Sequence, residues 1–132
     1  MTAYPTIDEV IVVHAQLIAR FGGSLGIRDR GALESALARP QSGYYEDIIQ
    51  EAAALWESLS QNHPFIDGNK RVAVTVMAAF LKVNGYLLEF DDLEAFSFLI
   101  GLYENGTMQF VQLDKWLRVH AERSSPRNCF DS

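Results

Sequence analysis

The chain has one cysteine, three histidines, four prolines and fewer cations than anions among its 132 residues. Each shortage excludes something. Cys129 stands alone in a polar tail, so neither an internal disulfide nor a cysteine-based metal site can form. No two of His14, His63 and His120 have metal-ligand spacing. With 11 Lys and Arg against 17 Asp and Glu, the net charge is −6, which argues against a broad face for direct nucleic-acid binding. No apolar run reaches the roughly 18 residues that a membrane span needs, so no membrane association is expected. The first residues, Met1-Thr2-Ala3-Tyr4-Pro5-Thr6, lack the basic-then-apolar pattern of a signal peptide. A cytoplasmic protein fits. Ser-centred elbows, Walker loops and paired glycosidase-like carboxylates are also missing.

What remains is ordinary globular material, 48% apolar and 21% charged. The pattern predicts one all-α domain over residues 1–124 with a frayed tail at 125–132. Thr6-Ile7-Asp8-Glu9 has the form of a capping box. Val10, Val13, His14, Leu17 and Phe21 then recur at helical spacing until Gly22-Gly23. Asp29 caps a second helix that Pro40 stops. Gln41-Ser42-Gly43 reads as a turn flanked by Arg39-Pro40 and Tyr44-Tyr45, most simply a helix connector. A third helix is expected over about residues 45–60 and a fourth over about 68–84, apolar nearly all round and therefore central. Residues 86–90 read as a short extended link. A fifth helix, capped by Asp91 or Asp92, should run to about Tyr103. A sixth carries Leu113, Trp116, Leu117 and His120, which makes about six in all.

The most informative stretch is His63-Pro64-Phe65-Ile66-Asp67-Gly68-Asn69-Lys70-Arg71, which leads straight into the fourth helix. A glycine turn feeding a helix N-terminus presents free N–H groups and the positive end of the helix dipole to one spot, an anion cradle. Gly68 allows close backbone approach, and Asn69 offers an amide donor to a phosphoryl oxygen. Lys70 and Arg71 place two cations where the dipole opposes them, at about 0.3–1 kcal/mol each. A bound anion reverses that sign, and such a local mismatch is what a functional site produces. His63 precedes a proline, which predicts extended backbone on a loop, and its ordinary pKa of about 6.5 suits a general base. Asp67 is expected to cap the helix and, with its other oxygen, to hold Mg²⁺ on a nucleotide phosphate. His14, on an apolar stripe, reads as a hydrogen-bonded core histidine.

The stretch from His63 to Arg71 resembles the core motif of the Fic/Doc superfamily, and within it the Doc ("death on curing") toxins. The likeness extends to Ile18-Ala19-Arg20-Phe21-Gly22-Gly23, Gly26-Ile27-Arg28-Asp29, Leu33-Glu34-Ser35-Ala36-Leu37, and Phe80-Leu81 with Asn84-Gly85-Tyr86, roughly residues 7–120. Fic adenylyltransferases usually carry Gly-Asn-Gly-Arg with a further arginine three residues on. Here Lys70 replaces the second glycine and Val74 the later arginine, whereas Pro64 and Gly68 are more Fic-like. The Doc resemblance implies a kinase-like reaction. ATP binds in the reverse sense, and its γ-phosphoryl passes to a protein hydroxyl, usually on elongation factor Tu, which arrests translation. By the same resemblance His63 is the base, and Asp67 orients the motif, the hydroxyl or the metal. Gly68 and Asn69 form the anion hole, and Lys70 and Arg71 grip the phosphates.

Two other readings stay open on these residues: adenylyl transfer to a protein on the same scaffold, and a non-catalytic module that retains the anion site. Many Fic proteins inhibit themselves through a Ser/Thr-x-x-x-Glu-Gly/Asn helix. Here Glu104-Asn105 has the ending, but Ile100 stands in place of the hydroxyl residue. Control is therefore expected from a separate Phd-like antitoxin whose C-terminal segment covers the nucleotide site.

Overall fold

The structure is a computed structural model in which residues 2–88, 101 and 109–123 are described. Apart from Gly101, which is helical, the expected fifth helix lies outside the described residues, as do the Asn105-Gly106 break, Ile100 with Glu104-Asn105, and the tail from residue 124. The rest is helical apart from one short ribbon, as the sequence predicts.

Helix α1 (Ile7–Phe21) starts on the expected capping box: Thr6 Oγ1 accepts the Glu9 N–H at 3.2 Å, and Glu9 accepts the Thr6 N–H at 2.9 Å. It buries Val10, His14 and Ile18. Helix α2 (Arg30–Ala38) is capped by Asp29, which accepts the Ala32 N–H at 3.0 Å. Ahead of Pro40 the chain tightens into a 3₁₀ turn, Arg39–Gln41, rather than simply stopping. Helix α3 (Ile48–Gln61) begins later than the spacing suggests, because Asp47 is its N-cap and holds the Gln50 N–H at 2.9 Å.

Helix α4 (Asn69–Val83) buries Val72, Ala73, Val76, Met77, Phe80 and Leu81, while Ala79, Lys82 and Val83 face solvent. It is not buried all round. Among the described elements the most enclosed is α3, in which residues 52–56 and 58–60 are buried. Apolarity alone does not distinguish a helix with two packed faces from one with a wide stripe. Ala52, Ala53 and Ala54 are small enough to sit between neighbours on either side. The α3/α4 pair, flanked by α1, α2 and α5 (Phe110–His120), is therefore the centre, rather than α4 alone.

Strand β1 (Tyr86–Leu88), expected as an extended link, pairs antiparallel with β2 (Ala121–Arg123), Leu87 opposite Glu122. At the start of the chain Tyr4 Oη donates to Glu51 and the Tyr4 ring stacks on Phe80. Beside it, the Asn84 amide binds the Ala3 main chain in both directions, each bond 2.8 Å. Arg39 pairs with Glu57 at 2.6 Å and donates to Tyr45 Oη at 2.8 Å, and Glu57 also accepts the Phe110 N–H. The turn residues Arg39 and Tyr45 thus join helices, as the plain connector reading has it.

Asp47 also receives two bonds from Arg118 of α5, at 2.7 and 3.0 Å. Burial pushes its carboxyl up, but Arg118 and the N–H groups of the α3 cap outweigh this and hold it below the ordinary 3.8. A carboxyl depressed by folding contributes stability above its unfolded pKa, and that contribution fades as pH falls through the lower folded value. The ion pair is partly exposed, so most of its worth is the cap. Asp47→Ala is expected to lose about 1 kcal/mol at neutral pH. In urea unfolding the gap to wild type should narrow as pH drops below about 4.

Candidate functional site

The loop from Asn62 to Gly68 joins the C-terminus of α3 to the N-terminus of α4. It is closed by Asn69, whose Oδ1 accepts the Phe65 N–H and whose Nδ2 donates to the Phe65 carbonyl, both at 2.9 Å. One Nδ2 hydrogen and the Oδ1 of that amide are thus used inside the loop. An anion at the helix mouth would meet the Asn69 main-chain N–H and the second hydrogen of the Nδ2 amide, which the Phe65 carbonyl leaves unused. Phe65 is buried, and its ring stacks on His14 at 3.9 Å between centroids, 6° from parallel.

His14 confirms the core reading and adds to it. Its Nε2 lies 2.8 Å from the Asp67 carbonyl. A carbonyl only accepts, so Nε2 carries the hydrogen. One side chain of α1 thus grips the loop through a ring and a main-chain oxygen.

Asp67 does not cap α4. Gly68 does, at φ 77°, with no side-chain capping bond. The Asp67 carboxylate instead takes the Gly68 N–H at 2.9 Å and the Ser24 N–H at 3.1 Å, bracing the loop against the α1–α2 connector. Gly23, at φ 118°, makes this approach feasible: a Cβ there would sit 2.6 Å from Asp67 Oδ2. The connector continues alongside the motif loop. Ile66 donates to the Gly26 carbonyl at 3.1 Å, and Ile27 and Phe65 form an isolated antiparallel bridge. The Pro64 carbonyl accepts N–H bonds from Arg28 and Asp29, at 2.8 and 3.0 Å.

His63 is exposed, as a base on a loop should be. Its backbone is not extended, however. Its φ is 49°, the left-handed region, which it alone occupies among the described non-glycine residues. Such a conformation costs about 1–3 kcal/mol and persists only where the surroundings impose it. The Arg28 side chain supplies part of that constraint, donating to the His63 carbonyl at 2.6 Å and the Asn62 carbonyl at 2.9 Å.

The first intrahelical bond of α4 runs from the Val72 N–H to the Gly68 carbonyl at 3.0 Å. The N–H groups of Asn69, Lys70 and Arg71 precede that bond and lie at the helix mouth. Lys70 and Arg71 are exposed. The Arg71 guanidinium lies 4.4 Å from the centroid of Phe21, an exposed ring at the end of α1 that Arg20 also overlies at 5.3 Å. A cation over an aromatic face gains about 0.5–1 kcal/mol at an exposed site. Phe21 thereby offsets the dipole's cost for Arg71, a solution the sequence argument did not contain. No cluster of three or more His, Cys, Asp or Glu suited to a metal occurs among the described residues.

The α1–α2 connector, the helix cap and the loop geometry coincide with a known sequence signature: a profile of the Fic/DOC family matches residues 4–81. The chain belongs to the Fic/DOC family. The match spans α1 to α3 and most of α4, including all of the motif loop. This Fic/DOC chain is also similar to the protein named Toxin Doc of Mycolicibacterium smegmatis, at 44% identity over 96 residues that cover 69% of this chain and 72% of that one. It is similar to Protein kinase doc of Escherichia phage P1, at 33% identity over 98 residues, 71% and 77% of the two chains. This likeness makes it a Doc-like member of the Fic/DOC family.

Of the residues the family motif contributes, His63, Asp67, Gly68, Asn69, Lys70 and Arg71 all fall on one loop and one helix turn. Sequence reasoning missed the supports: His14 as a clamp, Ser24 and Arg28 as braces, Phe21 as a rest for Arg71. The cluster Gly22-Gly23 with Gly26 was their available signal, because so many glycines in a short connector mark a chain pressed against another. Replacing His14 by Phe keeps a ring against Phe65 but leaves the Asp67 carbonyl without its donor. That variant is expected to lose about 1–3 kcal/mol in chemical denaturation.

Proposed function

We propose that this chain is a Doc-type toxin that transfers the γ-phosphoryl of ATP to a hydroxyl of a protein target, with elongation factor Tu the expected target. The observation that carries this reading is the N-terminus of α4, which Gly68 caps without any side-chain capping bond. The main-chain N–H groups of its first turn, which includes Lys70, lie there directly after a loop that presents an exposed histidine. The relative named Protein kinase doc supports phosphoryl transfer over other chemistry on this scaffold. So does Lys70, a long cation where the adenylyltransferase pattern has a glycine.

In the proposed reaction the target hydroxyl oxygen attacks the γ-phosphorus, the bond to the β–γ bridging oxygen breaks, and ADP leaves. The hydroxyl proton passes to the His63 imidazole. The N–H groups of Asn69, Lys70 and Arg71 and the Lys70 ammonium hold the phosphate oxygens and stabilise the charge that spreads over them in transfer. Arg71 joins them by leaving the Phe21 ring. Asp67 is exposed, and each of its oxygens accepts one backbone N–H and keeps a lone pair. A single carboxylate suits a Mg²⁺ ion whose other ligands are phosphates and water. Mg²⁺ held there would neutralise phosphate charge. A Phd-like antitoxin is the proposed partner that keeps the toxin inactive, and the cytoplasm, where the target works, is the proposed location.

Incubating the protein with elongation factor Tu and ATP, followed by mass spectrometry, tests the chemistry. An added phosphate is expected, and an added AMP would assign the reaction to the adenylyl class instead. His63→Ala should slow transfer by about 10²–10⁴-fold, and Lys70→Ala should slow it by about 10²–10³-fold. If both variants still arrest growth at full strength, the protein acts as a non-catalytic binding module.

A further inference from the structure

We propose that Arg28 is a positioning residue that holds His63 in the one backbone conformation that aims its imidazole out of the loop. This rests on the reading of His63 as the base. The carbonyls of Asn62, His63 and Pro64 follow one another where α3 ends, and all three are held from residues 28 and 29. The Arg28 side chain takes Asn62 and His63, at 2.9 and 2.6 Å. The main-chain N–H groups of Arg28 and Asp29 take Pro64, at 2.8 and 3.0 Å. Within this grip sits the described chain's one left-handed non-glycine residue.

The chemistry of the grip is specific. Carbonyls at a helix C-terminus carry partial negative charge, so a cation is favoured there. Two neighbouring carbonyls need two donors at a fixed spacing, which a planar guanidinium supplies and an ammonium does not. Fixing φ at His63 also fixes the direction in which its Cα–Cβ bond leaves the chain. Arg28 is itself exposed and belongs to no buried cluster, so its removal should leave the core intact. Its hydrogen bonds go to the α3 side of the loop, whereas the anion-facing N–H groups belong to α4. Arg28 is thus placed to act on the base without holding the phosphates.

The test uses the full chain with Arg28→Gln and Arg28→Lys. Transfer kinetics, thermal melting and the intraresidue Hα–HN nuclear Overhauser effect of His63, which is strong only at positive φ, would be measured together. Arg28→Gln is expected to lower kcat at least about tenfold with KM for ATP within about twofold of wild type. Its melting temperature should change little, and the His63 signal should weaken. Arg28→Lys should likewise keep the melting temperature of wild type without restoring its kcat. A double variant with His63→Ala should be no slower than His63→Ala alone, because Arg28 acts through that residue. Full kcat in Arg28→Gln, or an unchanged His63 signal, overturns the proposal. If wild type transfers neither phosphate nor AMP, the base reading of His63 fails separately, and the His63 signal still decides whether Arg28 sets the backbone there.

Discussion

The carboxamide of Asn69, folded back onto both polar atoms of the Phe65 main chain, is the interaction on which the rest of the site depends. It closes the turn between the most enclosed helix and the one that packs against it, and so fixes where the second of them begins. Phe65 can then drop into the core and meet His14, while His63 and Asp67 on either side stay in solvent. The junction is electrically polar. α3 delivers carbonyls to the loop and α4 delivers N–H groups, so within a few residues the chain offers a site for a cation and a site for an anion. Arg28 occupies the first. The second is where phosphate is proposed to sit.

This arrangement explains why the α1–α2 connector runs beside the motif instead of arching over solvent. A loop built from two helix ends has few partners of its own. Its carbonyls at residues 62–64 go to Arg28 and Asp29, its Ile66 N–H to Gly26, and its Asp67 carboxylate to Ser24. The connector therefore works as a second wall, and its glycines permit contact at distances a side chain would forbid. Stability and chemistry share the same bonds here, which is why the site residues cannot be separated cleanly from the scaffold.

Much of the fold was legible in the sequence. The capping box at Thr6 and Glu9, the Asp29 cap and the break at Asn84-Gly85 are local rules, and local rules were enough. Asp47 was missed as the start of α3 because Tyr45 and Glu46 fit a helical reading equally well until tertiary pairing with Arg118 decides the cap. α4 looked central because it is apolar, but burial depends on how many neighbours a helix has, and the alanines of α3 win that place. The ribbon of β1 and β2 joins segments too short to show an alternating pattern. At the site, the motif named its residues without their geometry. Pro64 argued for extended backbone at His63, but the φ there is 49°, among four hydrogen bonds to the carbonyls of residues 62–64. The cations at the mouth of α4 looked as if they required an anion, yet an aromatic ring from α1 already sits beneath one of them.

Asn84 repeats at the far end of α4 what Asn69 does at the near end, clasping the Ala3 main chain with one amide. It is followed by Gly85, the neighbour that least hinders a main-chain nitrogen from attacking a side-chain amide. Slow loss of ammonia there would leave a carboxylate facing the Ala3 carbonyl, two acceptors with no hydrogen between them. The amino-terminal strap would loosen from a helix whose opposite end carries the site, so an old molecule and a freshly made one need not be mechanically the same.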